Sequence, residues 1–342
     1  MRRRVWIAVT VALVLGVAHT GYWISLRSQL IEGYAKWRQM AAQSGFKVEG
    51  EMVGGGGWPS SVTLELRNLA VEGAKGVPAS EFAWRSERTV VRLSLITPRR
   101  LEIEPSGAQR FRIGPHPAFP VTWKNAGAFV LLSPEGGAET LTLVGNDISA
   151  RLGPDRTTLV NIGLVQARSD LGPAADGIPF SLSTEAIDLP SGAKWPLGRR
   201  ISSLSLEGKL TGKLSAEPTA TEWANTWRDS GGALEVGKLA LGWGPLGVSA
   251  TATLALDDQL QPMGAGSARL IGYPAALDAL ASAGTLSRSA VVAGKAILSL
   301  LAPAPEDDAA GEVEVPLTLQ YRTLSIRQVP LLRLPEVDWG QP

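Results

Sequence analysis

The stretch VGGGGWPSSVTLELRNLAV, from Val53 to Val71, places four consecutive glycines and a Trp-Pro pair directly before an alternating run. The apolar positions of that run are Val62, Leu64 and Leu66, and polar residues stand between them. A period of two residues is typical of a half-buried β-strand. The chain therefore enters a sheet at this point, and the glycines raise the question of what they connect.

A glycine loop that binds phosphate leads into a helix, and a lysine with a hydroxyl residue usually completes it. Here Gly54 to Gly57 lead into a strand, and no Gly-Lys-Ser/Thr sequence follows. Glycine also gives the backbone conformational freedom at little steric cost. We therefore interpret the run as a hinge at which a helix gives way to a sheet, and not as a nucleotide site.

Upstream of the glycines, 22 residues from Val5 to Leu26 carry no formal charge. As a helix this segment is roughly 33 Å long, which is enough to cross the hydrocarbon core of a membrane. The predicted anchor residues are the three arginines before the span and the aromatic residues near its ends: Arg2, Arg3, Arg4, Trp6, Tyr22 and Trp23. The arginines favour a cytoplasmic N-terminus. We expect a single-pass inner-membrane protein with a periplasmic body.

A cleaved signal peptide is the alternative interpretation of this segment, since Gly16 and Ala18 are small residues suitably spaced for a cut before His19. The apolar run is long for a signal core and continues past that position, which favours an uncleaved anchor. Both interpretations predict export of the body.

After the span, Leu30, Tyr34, Trp37 and Ala41 recur at helical spacing, so the helix is expected to continue to about Gly45. We divide the chain into a cytoplasmic tip and anchor (1–26), a stalk helix with the glycine hinge (27–57) and a body (58–342). In the alternative interpretation, the apolar stripe of the helix packs against the body.

The body has many strand-length apolar segments separated by Gly, Pro, Asp and Asn turns, with few helical segments between them. This pattern predicts a mainly β fold, an extended antiparallel sheet with a few covering helices. The helical segments are PTATEWANTWRDS, PAALDALASAG and TLSRSAVVAGKAILSLLA. The body either is one sheet or has two halves, at about 58–200 and 201–342.

Composition excludes several classes of function. The formal net charge is +1, and removing the three N-terminal arginines leaves −2, so no basic excess is available for nucleic acid. The chain has no cysteine. Ser191-Gly192-Ala193-Lys194 matches the letters of a Ser-x-x-Lys motif, but that motif needs a helix, and the prolines that flank it here prevent one. We expect no catalysis, cofactor or metal. A hydrolase with an unrecognised acidic site is the alternative.

Two groups of residues are candidates for binding. Arg88 and Arg92, like Arg110 and Arg112, share strand faces on which they could contact anionic lipid headgroups or lipopolysaccharide phosphates. The alternative is a solvated outer face partly neutralised by acids. Trp223 and Trp227 project from one face of a predicted helix and are candidates for docking a protein partner.

Four features occur together in the chain: Gly21-Tyr22-Trp23, Gly57-Trp58-Pro59, Leu241 to Leu246 and the closing segment VPLTLQYRTLSIRQVPLLRLP. In these features the chain resembles the uncharacterised alphaproteobacterial envelope family known as domain of unknown function 2125. The chain is also distantly similar to AsmA-like envelope proteins, and that resemblance implies lipid handling between membranes. We therefore expect an envelope protein that binds lipid or supports lipid and outer-membrane homeostasis. The alternative is an assembly factor that docks a partner through a sheet edge or the helix of Trp223 and Trp227.

Overall fold

A computed structural model describes residues 2–73, 82–114, 116–153, 158–172, 177–213, 219–301, 312–326 and 329–339. The chain folds as one long N-terminal helix, a large antiparallel sheet and three short helices. The predicted mainly β class is therefore confirmed.

The N-terminal helix, α1 (Arg2–Gln43), contains the one segment among the described helices that is long and apolar enough to cross a membrane, and none of that segment is buried. Such a helix fits a single-pass anchor. Further along α1, Leu26 and Leu30 are buried.

The sheet has sixteen strands, and nearly every strand pairs with the strand that precedes it in the chain. They are β1 (Phe46–Gly54), β2 (Ser61–Gly73), β3 (Phe82–Ser94), β4 (Arg100–Ile113), β5 (Phe119–Thr122), β6 (Asn125–Leu132), β7 (Ala138–Leu152), β8 (Thr158–Asp170), β9 (Ile178–Asp188), β10 (Arg200–Leu210), β11 (Leu234–Trp243), β12 (Leu246–Leu256), β13 (Pro262–Ile271), β14 (Glu312–Gln320), β15 (Thr323–Ile326) and β16 (Val329–Arg333). Both β5 and β6 lie between β4 and β7.

The glycine run lies between two strands, so the predicted hinge between helix and sheet is wrong. β1 comes first, and residues 55–60 form the turn that connects it to β2, which we call the β1–β2 turn. A side chain at Gly55 would collide with the Thr63 carbonyl oxygen, and Gly57 has a φ of +94°. The glycines therefore permit a close backbone approach and a left-handed residue.

The second half of α1 packs on the sheet instead of standing free as a stalk. Leu26 and Leu30 form a core with Val62, Leu64 and Leu66 of β2. Of the predicted stripe, Tyr34 and Ala41 pack against the same core, whereas Trp37 is 41% exposed. The alternative interpretation, in which the stripe covers the body, is the one that the structure supports.

Three short helices occur where the sequence predicts them: α2 (Ala220–Asp229), α3 (Tyr273–Ser282) and α4 (Arg288–Leu301). Thr219 caps α2, and its hydroxyl oxygen accepts the Glu222 amide at 3.1 Å. Tyr273 of α3 and Leu298 of α4 pack on Ala268 and Val315, at the opposite end of the sheet from α1. The predicted covering role of the alanine-rich pair is therefore confirmed.

Candidate functional site

The strand register aligns one unbroken row of apolar side chains across twelve strands, which we call the central row. Directly paired residues in neighbouring strands lie on the same face of a sheet. In order from β2 to β14, the row contains Leu64, Val91, Ile103, Ala128, Leu143, Ala167, Leu182, Leu206, Leu239, Ala250, Ala268 and Val315. No polar residue interrupts it.

The rows on either side of the central row are also mostly apolar, so together they form what we call the apolar face. One row runs through Leu101, Val130, Leu141, Ser169, Phe180, Gly208 and Val236. The other runs through Gly145, Val165, Thr184, Leu204, Leu241, Val248, Leu270 and Val313.

The opposite face of the same strands is polar. Its ion pairs join neighbouring strands, with Lys238 Nζ 3.1 Å from a Glu207 carboxylate oxygen. Near β14, an Arg269 guanidinium nitrogen lies 3.1 Å from a Glu312 oxygen and another lies 3.7 Å from a Glu314 oxygen. The sheet therefore presents one face suited to water and one face suited to hydrocarbon.

Exposure along the central row changes with the helices that cover it. Leu64 is 2% exposed beneath α1, and at the other end Ala268 is 4% and Val315 1% exposed beside α3 and α4. Between them, Leu143 is 43% exposed, and Leu182 and Leu206 are half-buried. The main contacts between the described helices and the sheet involve β1, β2, β12 and β14. No described helix makes a main contact with the strands from β6 to β11, and we call this part of the apolar face uncovered.

One buried hydroxyl lies within this uncovered part. Thr184 of β9 is 7% exposed, and its Oγ1 has no hydrogen-bond partner among the described residues. Its register partners are Val165 and Leu204, so its surroundings within the sheet are apolar.

The four arginines predicted to contact anionic lipid divide into two groups. Arg88 Nε lies 2.9 Å from a Glu65 oxygen, and Arg92 Nη1 lies 3.4 Å from a Glu104 oxygen. Arg110 is exposed and Arg112 is half-buried, and neither forms an ion pair with another described residue. The polar face around Arg88 and Arg92 thus matches the partly neutralised alternative, while a headgroup contact at Arg110 and Arg112 stays a prediction.

The two tryptophans of the predicted docking pair pack within the chain itself, and docking of a protein partner through them stays a prediction. Trp227 is 6% exposed, and its indole N–H donates to the Thr211 carbonyl at 2.7 Å. Trp223 stacks on Trp227 with centroids 5.8 Å apart and contacts the Trp339 ring at 6.2 Å. The spacing of residues on the helix could not predict the contact with Trp339, because Trp339 is more than a hundred residues away in sequence.

The six predicted anchor residues all lie on α1, and five of them are exposed. The side chains of Arg2, Arg3 and Arg4 are exposed, as are those of Trp6 and Tyr22. Trp23, however, is half-buried, and its indole N–H donates to the Ser61 carbonyl at 2.7 Å. It attaches the helix to the sheet instead of facing only headgroups.

The Ser-x-x-Lys motif lies in a turn. Residues 191–193 form that turn and not a helix. Asp257, an acidic residue between β12 and β13, uses its Oδ1 to accept the backbone amides of Gln259 and Gln261 at 2.9 and 2.8 Å. Within the described ranges, no three His, Asp or Glu side chains are grouped as metal ligands would be.

A family model described as an uncharacterized protein conserved in bacteria (DUF2125) matches residues 23–335. No curated protein and no solved structure matches the chain. The similarity to AsmA-like proteins therefore stays a prediction.

Proposed function

This chain belongs to the bacterial DUF2125 family, and from that premise we propose that it is an inner-membrane-anchored periplasmic protein of the Gram-negative envelope that binds lipid on its apolar face. Its N-terminus is cytoplasmic and its body periplasmic, because three arginines precede the span. The role is binding and not catalysis, and it serves lipid or outer-membrane homeostasis.

The observation that carries the proposal is the exposure along the central row. The same row is buried beneath helices at both ends, whereas between β6 and β11 Leu143 is 43% exposed and Leu182 and Leu206 are half-buried. A contiguous exposed apolar surface with polar surroundings marks a site of interaction with hydrocarbon or with another protein. Six strands at about 4.8 Å spacing give an uncovered width of roughly 24 Å. One leaflet of a bilayer is about 15 Å thick, so an acyl chain fits across this width.

Lipid is favoured over a protein ligand by the chemistry of the surface. The uncovered part of the central row consists only of Ala and Leu side chains. It offers neither a charge nor the large aromatic residues that anchor most protein interfaces. Acyl chains need only apolar contact, and each leucine covered by one contributes on the order of 1.5–3 kcal/mol.

The test is photo-cross-linking in living cells from two adjacent positions of β10. A benzophenone amino acid replaces Leu206, on the apolar face, or Ser205, on the polar face, in cells grown with radioactive orthophosphate. We expect labelled lipid to be attached to the chain from position 206 but not from position 205. Phospholipase digestion then separates attached phospholipid from attached lipopolysaccharide.

A protein adduct from position 206, without labelled lipid, would support the alternative in which the body docks a partner. Equal labelling from positions 205 and 206 would show only proximity to a membrane and would contradict selective binding by the apolar face.

A further inference from the structure

The β1–β2 turn packs against α1 within the apolar segment that the sequence assigns to the membrane. His19 Nε2 donates to the Pro59 carbonyl oxygen at 2.7 Å, and the His19 and Trp58 rings meet edge-on at 6.4 Å. One turn of helix further along, the Trp23 indole N–H donates to the Ser61 carbonyl. This end of the sheet, at the β1–β2 turn, therefore lies beside His19, within the apolar segment of α1 and not beyond its end.

The length of the helix gives the depth of this contact. His19 is fifteen residues after Arg4, the last charged residue before the span, which is roughly 22 Å along the helix axis. The hydrocarbon core is about 30 Å thick. With Arg4 at the cytoplasmic boundary, the turn lies about 8 Å inside the far boundary, and a tilted helix places it deeper.

The hydrogen bonding of the turn suits that depth, because backbone groups in hydrocarbon need partners within the protein. The Gly56 carbonyl accepts the Thr63 amide at 2.9 Å, and the Gly57 carbonyl accepts the Ser61 amide at 2.9 Å. The Pro59 carbonyl is bonded to His19. The Ser60 carbonyl accepts the Leu95 amide at 3.1 Å from the neighbouring turn between β3 and β4.

His19 itself is explained by the same contact. An ionisable side chain within a membrane span is costly and is normally paired with a polar group. Here the imidazole is paired with the Pro59 carbonyl oxygen. Pro59 lies in the turn between β1 and β2, outside the hydrogen-bonded ladder of the sheet.

The side chains at this end of the sheet are apolar and exposed. Trp58 is 59% exposed, and Ile96, in the turn between β3 and β4, is 89% exposed. Large apolar residues at two adjacent turn tips are unfavourable in water and favourable in the interfacial region of a bilayer, where tryptophan is enriched.

We propose that the β1–β2 turn and Ile96 insert into the periplasmic leaflet of the membrane and form a second membrane contact beside α1. The inference rests on the proposed anchor. It places the body directly on the membrane surface, with the first strands of the sheet entering the leaflet.

The experiment uses the full chain, which has no cysteine, so single cysteines can be labelled with an environment-sensitive nitrobenzoxadiazole dye. The labelled positions are Ser60→Cys and Ile96→Cys, with Val14→Cys as the position inside the span. Ile113→Cys is the matched control, because Ile113 is also exposed but ends β4 roughly 40 Å from Ile96. Circular dichroism checks the fold of each variant in vesicles of phosphatidylethanolamine and phosphatidylglycerol.

We expect blue-shifted emission, quenched by lipids with spin labels on their acyl chains, at positions 14, 60 and 96 but not at position 113. Quenching at position 14 with aqueous spectra at 60 and 96 would overturn the inference and leave the anchor intact. An aqueous spectrum at position 14 would overturn the anchor and the inference with it. Quenching at position 113 as well would replace an inserted tip by a body lying flat on the membrane.

Discussion

Two buried threonines show that a hydroxyl affects the stability of the protein differently on the two faces of the sheet. Thr140 Oγ1 donates to an Asp170 carboxylate oxygen at 3.0 Å, whereas Thr184 Oγ1 has no partner among the described residues. A buried polar group without a hydrogen bond lowers stability, and a satisfied one contributes about 1 kcal/mol. The two sites therefore respond in opposite ways to loss of the hydroxyl.

We predict that Thr184→Val leaves the free energy of unfolding unchanged or raises it by up to about 1 kcal/mol. Thr140→Val, the matched control, should lower it by about 1 kcal/mol, because a hydrogen bond is lost. Denaturant unfolding of both variants in detergent measures the difference. A loss of stability at position 184 equal to that at position 140 would mean that the Thr184 hydroxyl has a partner.

At the scale of elements, the β1–β2 turn depends on two of the four glycines in the run from Gly54 to Gly57. A side chain at Gly55 would meet the Thr63 carbonyl oxygen, whereas a side chain at Gly54 would meet nothing within 4 Å. We predict that Gly55→Ala lowers the stability by roughly 1–3 kcal/mol, as overpacking does, and that Gly54→Ala changes it little. Thermal unfolding followed by circular dichroism compares the two.

Equal melting temperatures for these two alanine variants would contradict a tight turn and restore a flexible linker at this position. A melting temperature that falls only in Gly55→Ala would support the close approach between the turn and β2.

The elements that the sequence predicted best are those with a strong period. Val62 to Leu66 on β2 and the helices around Trp223 and Ala276 were identified because their apolar residues repeat at two or at three to four positions. β1 was missed because Phe46, Val48 and Met52 alternate with charges directly after a helix, so the segment was interpreted as part of the stalk and hinge.

The candidate site could not be predicted at this scale, because it depends on register. Leu143, Leu182 and Leu206 are far apart in sequence and come into one row only when the three pairings among β7, β8, β9 and β10 are known. A shift of one residue in any strand would move its side chains to the other face. Alternation indicates that a strand has an apolar face, but it does not show which strands share it.

At the scale of the whole molecule, the second half of α1 belongs to the body and not only to the anchor. Leu26 and Leu30 are 5% and 7% exposed against β2, and each contributes roughly 1.5–3 kcal/mol by burial. We predict that a chain beginning at residue 46 is destabilised and self-associates, whereas a chain beginning at residue 20 folds. Size-exclusion chromatography and thermal unfolding of the two proteins test this.

The full chain in detergent is the reference for both truncations. If the chain from residue 46 melted at the same temperature as the chain from residue 20, α1 would contribute nothing to the body, contrary to its packing on Leu64 and Leu66.

The order of the strands has a consequence for biogenesis. Each strand from β7 to β16 pairs with the strand made just before it, so this part of the sheet can form in chain order. If the body is exported as proposed, a chain whose N-terminal helix is already held in the membrane can add one strand at a time to a growing sheet. The strand with an unpaired outer side is then always the one that was added last. Apart from β1 at the fixed edge, only the newest strand then needs protection from aggregation by a chaperone.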